Sequence, residues 1–83
     1  MHRLSVSTCV LAIVNQVIAN KGGAAVEALV PSMRLREDIG FESLELAEFT
    51  VRIEEKFGVD VFADGLVTTV GEVVTIIERT ERA

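Results

Sequence analysis

One serine stands inside a dense acidic run, Glu37-Asp38-Ile39-Gly40-Phe41-Glu42-Ser43-Leu44-Glu45-Leu46, at the point where an amphipathic segment begins. No other residue set in the 83-residue chain offers comparable chemistry. The only histidine is His2, at the N-terminus, so Ser43 lacks a histidine base, and the GxSxG pattern of a strained nucleophile is missing. One cysteine, Cys9, and one distant histidine do not make a zinc ligand set, and no carboxylates alternate as in a Ca²⁺ loop. Gly22-Gly23 lacks the flanking pattern of a phosphate loop. The expectation is a protein with no catalytic residues and no metal. Two readings of Ser43 remain. It, or Glu42, simply caps a helix; or its hydroxyl, projecting from a helix start, is a place to attach a phosphate, where unpaired backbone N–H groups and the positive end of the helix dipole favour an anion.

The elements that must position this serine follow from periodicity. Val6, Val10, Ile13, Val14 and Val17 recur on one helical face; Ser5 or Ser7 caps the start and Asn20-Lys21-Gly22-Gly23 the end. Cys9 falls in this stretch and reads as a buried, inert thiol. Residues 24–42 form a long connection in which Ala24 to Val30 could turn helically before Pro31, with Gly40 allowing a tight backbone ahead of the next helix. The spacing predicts that helix over Ser43–Phe57, ended by Gly58. Its apolar stripe combines Leu44, Ala47 and Val51 with Leu46, Phe49, Ile53 and Phe57, and leaves Glu45, Glu48, Arg52, Glu55 and Lys56 outside. A connector over Asp60–Val67 holds at most one helical turn. Thr69-Val70-Gly71-Glu72 has the spacing of a capping box, and Val70, Val73, Val74 and Ile77 complete a last helix. The fold class expected is therefore all-α, a small bundle of three helices with an optional short fourth, in one domain spanning 1–83.

Charge bounds the partners. The net charge is −5, and residues 37–60 hold eight acidic side chains against Arg52 and Lys56, so this stretch exceeds the whole chain in negative charge. That excludes a basic nucleic-acid footprint and suits basic partner proteins. The segment Val10–Ile18 is too short to span a bilayer, no signal-peptide layout is present, and a lone cysteine fits a reducing compartment; a soluble, cytoplasmic protein without membrane insertion is expected.

The run Asp38-Ile39-Gly40-Phe41-Glu42-Ser43-Leu44, its continuation to Phe57-Gly58-Val59 and the later Thr68-Thr69-Val70-Gly71-Glu72 together resemble the acyl carrier protein family over essentially the whole chain. The resemblance implies an up-down helical bundle whose Ser43 bears 4′-phosphopantetheine taken from coenzyme A. Acyl intermediates ride on the arm's thiol as thioesters in fatty acid, specialised lipid or polyketide biosynthesis. It implies a non-catalytic, monomeric carrier served by a phosphopantetheinyl transferase, an acyl-loading ligase and synthase or transferase enzymes. Glu42, Glu45, Glu48, Glu54 and Glu55 become docking contacts, and Leu44, Ala47, Val51 and Ile53 the lining of an acyl-chain groove. Three departures point to a specialised rather than a housekeeping carrier: Glu42 where the family usually has aspartate, a short connector holding Gly65, and Arg34, Arg36 and Arg52 near the docking face. The alternatives are an aminoacyl or peptidyl carrier, to whose usual contexts Phe41-Glu42-Ser43-Leu44 is less similar, and an unmodified helical interaction module.

Overall fold

A computed structural model describes residues 5–63, 65 and 67–82. His2 lies outside them. The described residues form three helices: α1 (Val6–Asn20), α2 (Ser43–Phe57) and α3 (Val70–Arg82). No described helix is long and apolar enough to cross a membrane. The expected starts and stops are made by the expected side chains. Ser5 caps α1, its hydroxyl accepting from the Thr8 N–H at 3.1 Å. Gly58 closes α2 in the left-handed region (φ 71°), donating its N–H to the Glu54 carbonyl at 2.8 Å. The capping box of α3 is present in both directions: Thr69 Oγ1 accepts from Glu72 N–H at 3.2 Å, and Glu72 Oε1 accepts from Thr69 N–H at 2.9 Å.

The helices bury one continuous apolar core. α1 supplies Val10, Ile13, Val14, Val17 and Ile18, α2 supplies Phe49 and Ile53, and α3 supplies Val70, Val73 and Ile77. Leu35 and Phe41 from the long connection and Val59 and Val61 beyond α2 fill the remaining gaps. No described polar side chain is buried, so burial of apolar area is what holds the layers together. α1 and α2 run antiparallel: Asn20 meets Glu48, and Gln16 meets Arg52, so positions rise on one helix as they fall on the other. The start of α3 lies beside the start of α1, where Ser7, Val70, Val74 and Thr75 line one crevice with Leu29 and Pro31.

Two expectations need correcting. Residues 24–30 do not turn helically. The Asn15 amide on α1 takes both backbone groups of Val26, accepting its N–H at 2.8 Å and donating to its carbonyl at 3.0 Å, which leaves neither for a helical ladder. Past Pro31 the connection is tied to the start of α3 instead, through Leu35 N–H to the Thr68 carbonyl and Val70 N–H to the Met33 carbonyl, both 2.9 Å, around an isolated bridge between Arg34 and Thr69. Cys9, expected to be buried, is only half-buried, on the rim of a shallow groove between α1 and α2. Between α2 and α3 the described residues form turns, not a fourth helix.

Candidate functional site

Ser43 is the first residue of α2, and Glu42, extended at φ −99° and ψ −175°, is the N-cap. The cap is tightened by Glu45, whose Oε1 accepts the Glu42 N–H at 2.8 Å. Of the two residues that could have capped the helix, the structure uses Glu42. Ser43 is exposed, and its hydroxyl enters no hydrogen bond among the described residues. A serine spent on capping would have its oxygen turned onto a backbone N–H two or three residues ahead. This one is left over for something else.

What fixes the serine's position lies just before it. Phe41 is 1% exposed and its ring meets that of Phe49 with centroids 5.7 Å apart and planes at 50°, a tilted aromatic pair inside the core. Its N–H donates to the Leu35 carbonyl at 2.9 Å. Gly40, at φ 89°, turns the chain in a conformation that a side chain would strain, and its carbonyl accepts from Lys21 Nζ at 3.2 Å. One turn upstream, Asp38 Oδ2 accepts from the Arg34 backbone N–H at 2.7 Å and from Arg34 Nε at 3.3 Å. Those bonds, the backbone one foremost, lower the Asp38 pKa. The loop before α2 is thus anchored by a buried phenylalanine on one side and by a carboxylate clip on the other. Neither Phe41 nor Lys21 was singled out by the sequence reading; the apolar residue two places before the serine was the available signal for the first.

α2 presents three distinct sides. At 3.6 residues per turn, Leu46, Phe49, Ile53 and Phe57 share the side packed on the core. Leu44, Ala47 and Val51 do not belong to that stripe. Leu44 is 76% and Val51 53% exposed, and with Ala47 they line a shallow surface depression shared with Glu48, Arg52 and Glu55. Ile53 is fully buried half a turn away. The structure thus brings Leu44, Ala47 and Val51 together and leaves Ile53 apart from them, on the opposite, core-facing side of the helix.

The third side faces α1 and is polar. Glu48 Oε2 accepts from Asn20 Nδ2 at 2.6 Å and from Arg52 Nε at 3.0 Å, and Arg52 Nη1 donates to Gln16 Oε1 at 3.0 Å. The Asn20 bond, then the Arg52 bond, lowers the Glu48 pKa. Lys21 Nζ stands 4.0 Å from Glu45 Oε1. Of the sequence-predicted docking residues, Glu45 and Glu48 are thus half-buried in this edge, whereas Glu42, Glu54 and Glu55 are exposed.

These features test whether a phosphate-linked arm fits at Ser43. The hydroxyl is open to solvent, and the first turn behind it offers backbone N–H groups without intrahelical partners, together with the positive end of the dipole. Glu42 and Glu45 would oppose an added phosphate, and Lys21 beside Glu45 offsets part of that repulsion. The residues present fit a singly charged phosphodiester.

A comparison with protein families agrees. A family model described as "Phosphopantetheine attachment site" matches residues 12–77, which begin in α1, contain the whole of α2 and end in α3. The match covers about four-fifths of the chain and includes the acidic run around Ser43. The cofactor of such a domain is covalently attached 4′-phosphopantetheine. With three helices and no strand among the described residues, and with this match, the chain belongs to the phosphopantetheine attachment site family and is a carrier protein of the acyl-carrier type of fold.

Proposed function

We propose that the protein is an acyl carrier in which Ser43 Oγ bears the 4′-phosphopantetheine arm, and that residues 1–83 act as one carrier domain. The observation that carries this reading is the unspent hydroxyl of Ser43, exposed at the first position of α2 while Glu42 does the capping. When bound, the arm supplies a thiol that holds an acyl group as a thioester. The chain's own residues have other tasks. Phe41 and the Arg34–Asp38 clip hold the loop so that the serine projects outward. Glu42 and Glu45 order the first turn, and the exposed side of α2 meets partner enzymes.

The acyl reading is preferred over an aminoacyl or peptidyl one because Phe41-Glu42-Ser43-Leu44 is closer to the acyl pattern. In this role the protein catalyses nothing itself and works as a cytoplasmic monomer. It raises the effective concentration of a tethered substrate for a transferase, a loading ligase and synthases that visit in turn. The departures around Glu42, Gly65 and the arginines favour a specialised lipid or polyketide-like product.

The test is intact-mass analysis before and after incubation with coenzyme A and a broad-specificity phosphopantetheinyl transferase, with Ser43→Ala alongside. One phosphopantetheine is expected on the wild type and none on the variant. Transfer of fatty acyl but not aminoacyl groups onto the loaded arm, by the respective adenylating enzymes, would support the acyl assignment; the reverse would overturn it.

A further inference from the structure

Lys21 touches both flanks of Ser43, although it sits at the end of another helix. It is the C-cap of α1, and its Nζ donates to the Gly40 carbonyl at 3.2 Å, three residues before the serine. The same Nζ stands 4.0 Å from Glu45 Oε1, two residues after it. Glu45 in turn does not extend along the helix. Its Oε1 accepts the Glu42 N–H at 2.8 Å, so its charge is folded back onto the backbone just before Ser43. That carboxylate is only 14% exposed, and water screens it poorly. Among the described residues, Lys21 is the one cation paired with the first turn of α2; Arg34 is paired with Glu37 and Asp38, and Arg52 with Glu48 further along the helix.

We propose that Lys21 is the positioning residue of the loaded state: it holds the first turn of α2 in place once Ser43 carries a negative charge. This rests on Ser43 being the attachment point. Attachment replaces a neutral hydroxyl by a phosphodiester with one negative charge, flanked by the carboxylates of Glu42 and Glu45. Unopposed, that charge would push the Glu45 carboxylate off the Glu42 N–H and loosen the turn that carries the arm. Glu45 cannot relieve the repulsion by turning into water without giving up that bond. A cation fixed beside it removes part of the repulsion, and the bond to the Gly40 carbonyl keeps the cation from swinging out into solvent. α1 thus contributes to the site through the residue that ends it, and Lys21 matters more to the loaded chain than to the unloaded one.

The experiment compares the melting midpoints of the unloaded and the fully loaded chain. Loading is run to completion with coenzyme A and a phosphopantetheinyl transferase and checked by intact mass. Lys21→Gln should lower the midpoint of both forms, through the lost Gly40 bond, and that of the loaded form by about 2–4 °C more at low salt. The extra loss should shrink at high salt, and Lys21→Arg, which keeps the charge, should abolish it. Glu45→Gln should do the reverse, lowering the loaded form less than the unloaded one. Equal losses in both forms for Lys21→Gln would reduce Lys21 to a tie between α1 and the loop and overturn the proposal, as would an extra loss that persists in Lys21→Arg. Either result leaves the carrier assignment standing. A wild-type chain that takes up no arm overturns the attachment at Ser43, and this proposal with it.

Discussion

α2 is one fifteen-residue helix with two unlike long sides, and comparing them shows how a small domain separates stability from function. On the inward side, Phe49 and Ile53 are fully buried, and the Phe49 ring packs at a tilt against that of Phe41. On the outward side, Leu44 and Val51 are as apolar but stay in water. The inward residues keep the serine in place; the outward residues contribute little to the fold and are available to a visitor. The same division recurs among the charges, with Glu48 spent on Asn20 and Arg52 and Glu55 left exposed. Apolar or acidic character alone does not tell these roles apart. What each side chain meets on α1 and in the core does.

The sharpest way to break this comparison is to truncate one residue on each side. Phe49→Ala should destabilise by about 3–5 kcal/mol, the usual range for a fully buried ring. Leu44→Ala should fall within about 0.5 kcal/mol, as for other exposed positions. Denaturant melts that gave equal losses would mean that Leu44 packs on the core. A smaller effect is expected at the end of the helix. Gly58→Ala forces a side chain into a left-handed backbone and should cost on the order of 1 kcal/mol, read by the same melts. An unchanged midpoint would show that the turn relaxes without glycine.

The smallest effect concerns acid. Asp38, Glu48 and Glu72 are held below the ordinary carboxylate range, by bonds from Arg34, from Asn20 and Arg52, and from Thr69 and Thr68 respectively. Each therefore binds protons more readily unfolded than folded. Their contribution is fully present above the ordinary carboxylate pKa and is lost as the pH falls through the lowered values. The three are solvent-accessible, so the slope should be shallow. Thermal melts should decline gently on acidification, and Glu48→Gln should flatten that decline. A slope unaltered by this replacement would contradict the role given to the Asn20–Glu48–Arg52 bonds.

Much of the fold was legible because local rules wrote it. The bounds of α2, the serine cap of α1, the Gly58 stop and the Thr69–Glu72 box all depend on residues within four positions of one another. The site was legible in the same way: an acidic run, a glycine and a serine at a helix start. What stayed hidden depends on distant partners. Nothing near Val26 announces that Asn15 will hold its backbone, and nothing near Glu48 announces Asn20, twenty-eight positions earlier. The sequence could list the apolar residues of α2 but not say which line of them α1 and the core would cover. For that reason Ile53 lies apart from Leu44, Ala47 and Val51, while the helix bounds at Ser43 and Gly58 fall where local rules put them.

The most direct test of the central claim is a peptide map of the chain after loading with coenzyme A and a transferase. Trypsin releases Glu37–Arg52, in which the hydroxyl-bearing residues are Ser43 and Thr50. Thr50 is half-buried and already donates its hydroxyl to the Leu46 carbonyl at 2.8 Å. Fragmentation should place one phosphopantetheine on Ser43. The group on Thr50, or on any peptide outside this one, would contradict the account.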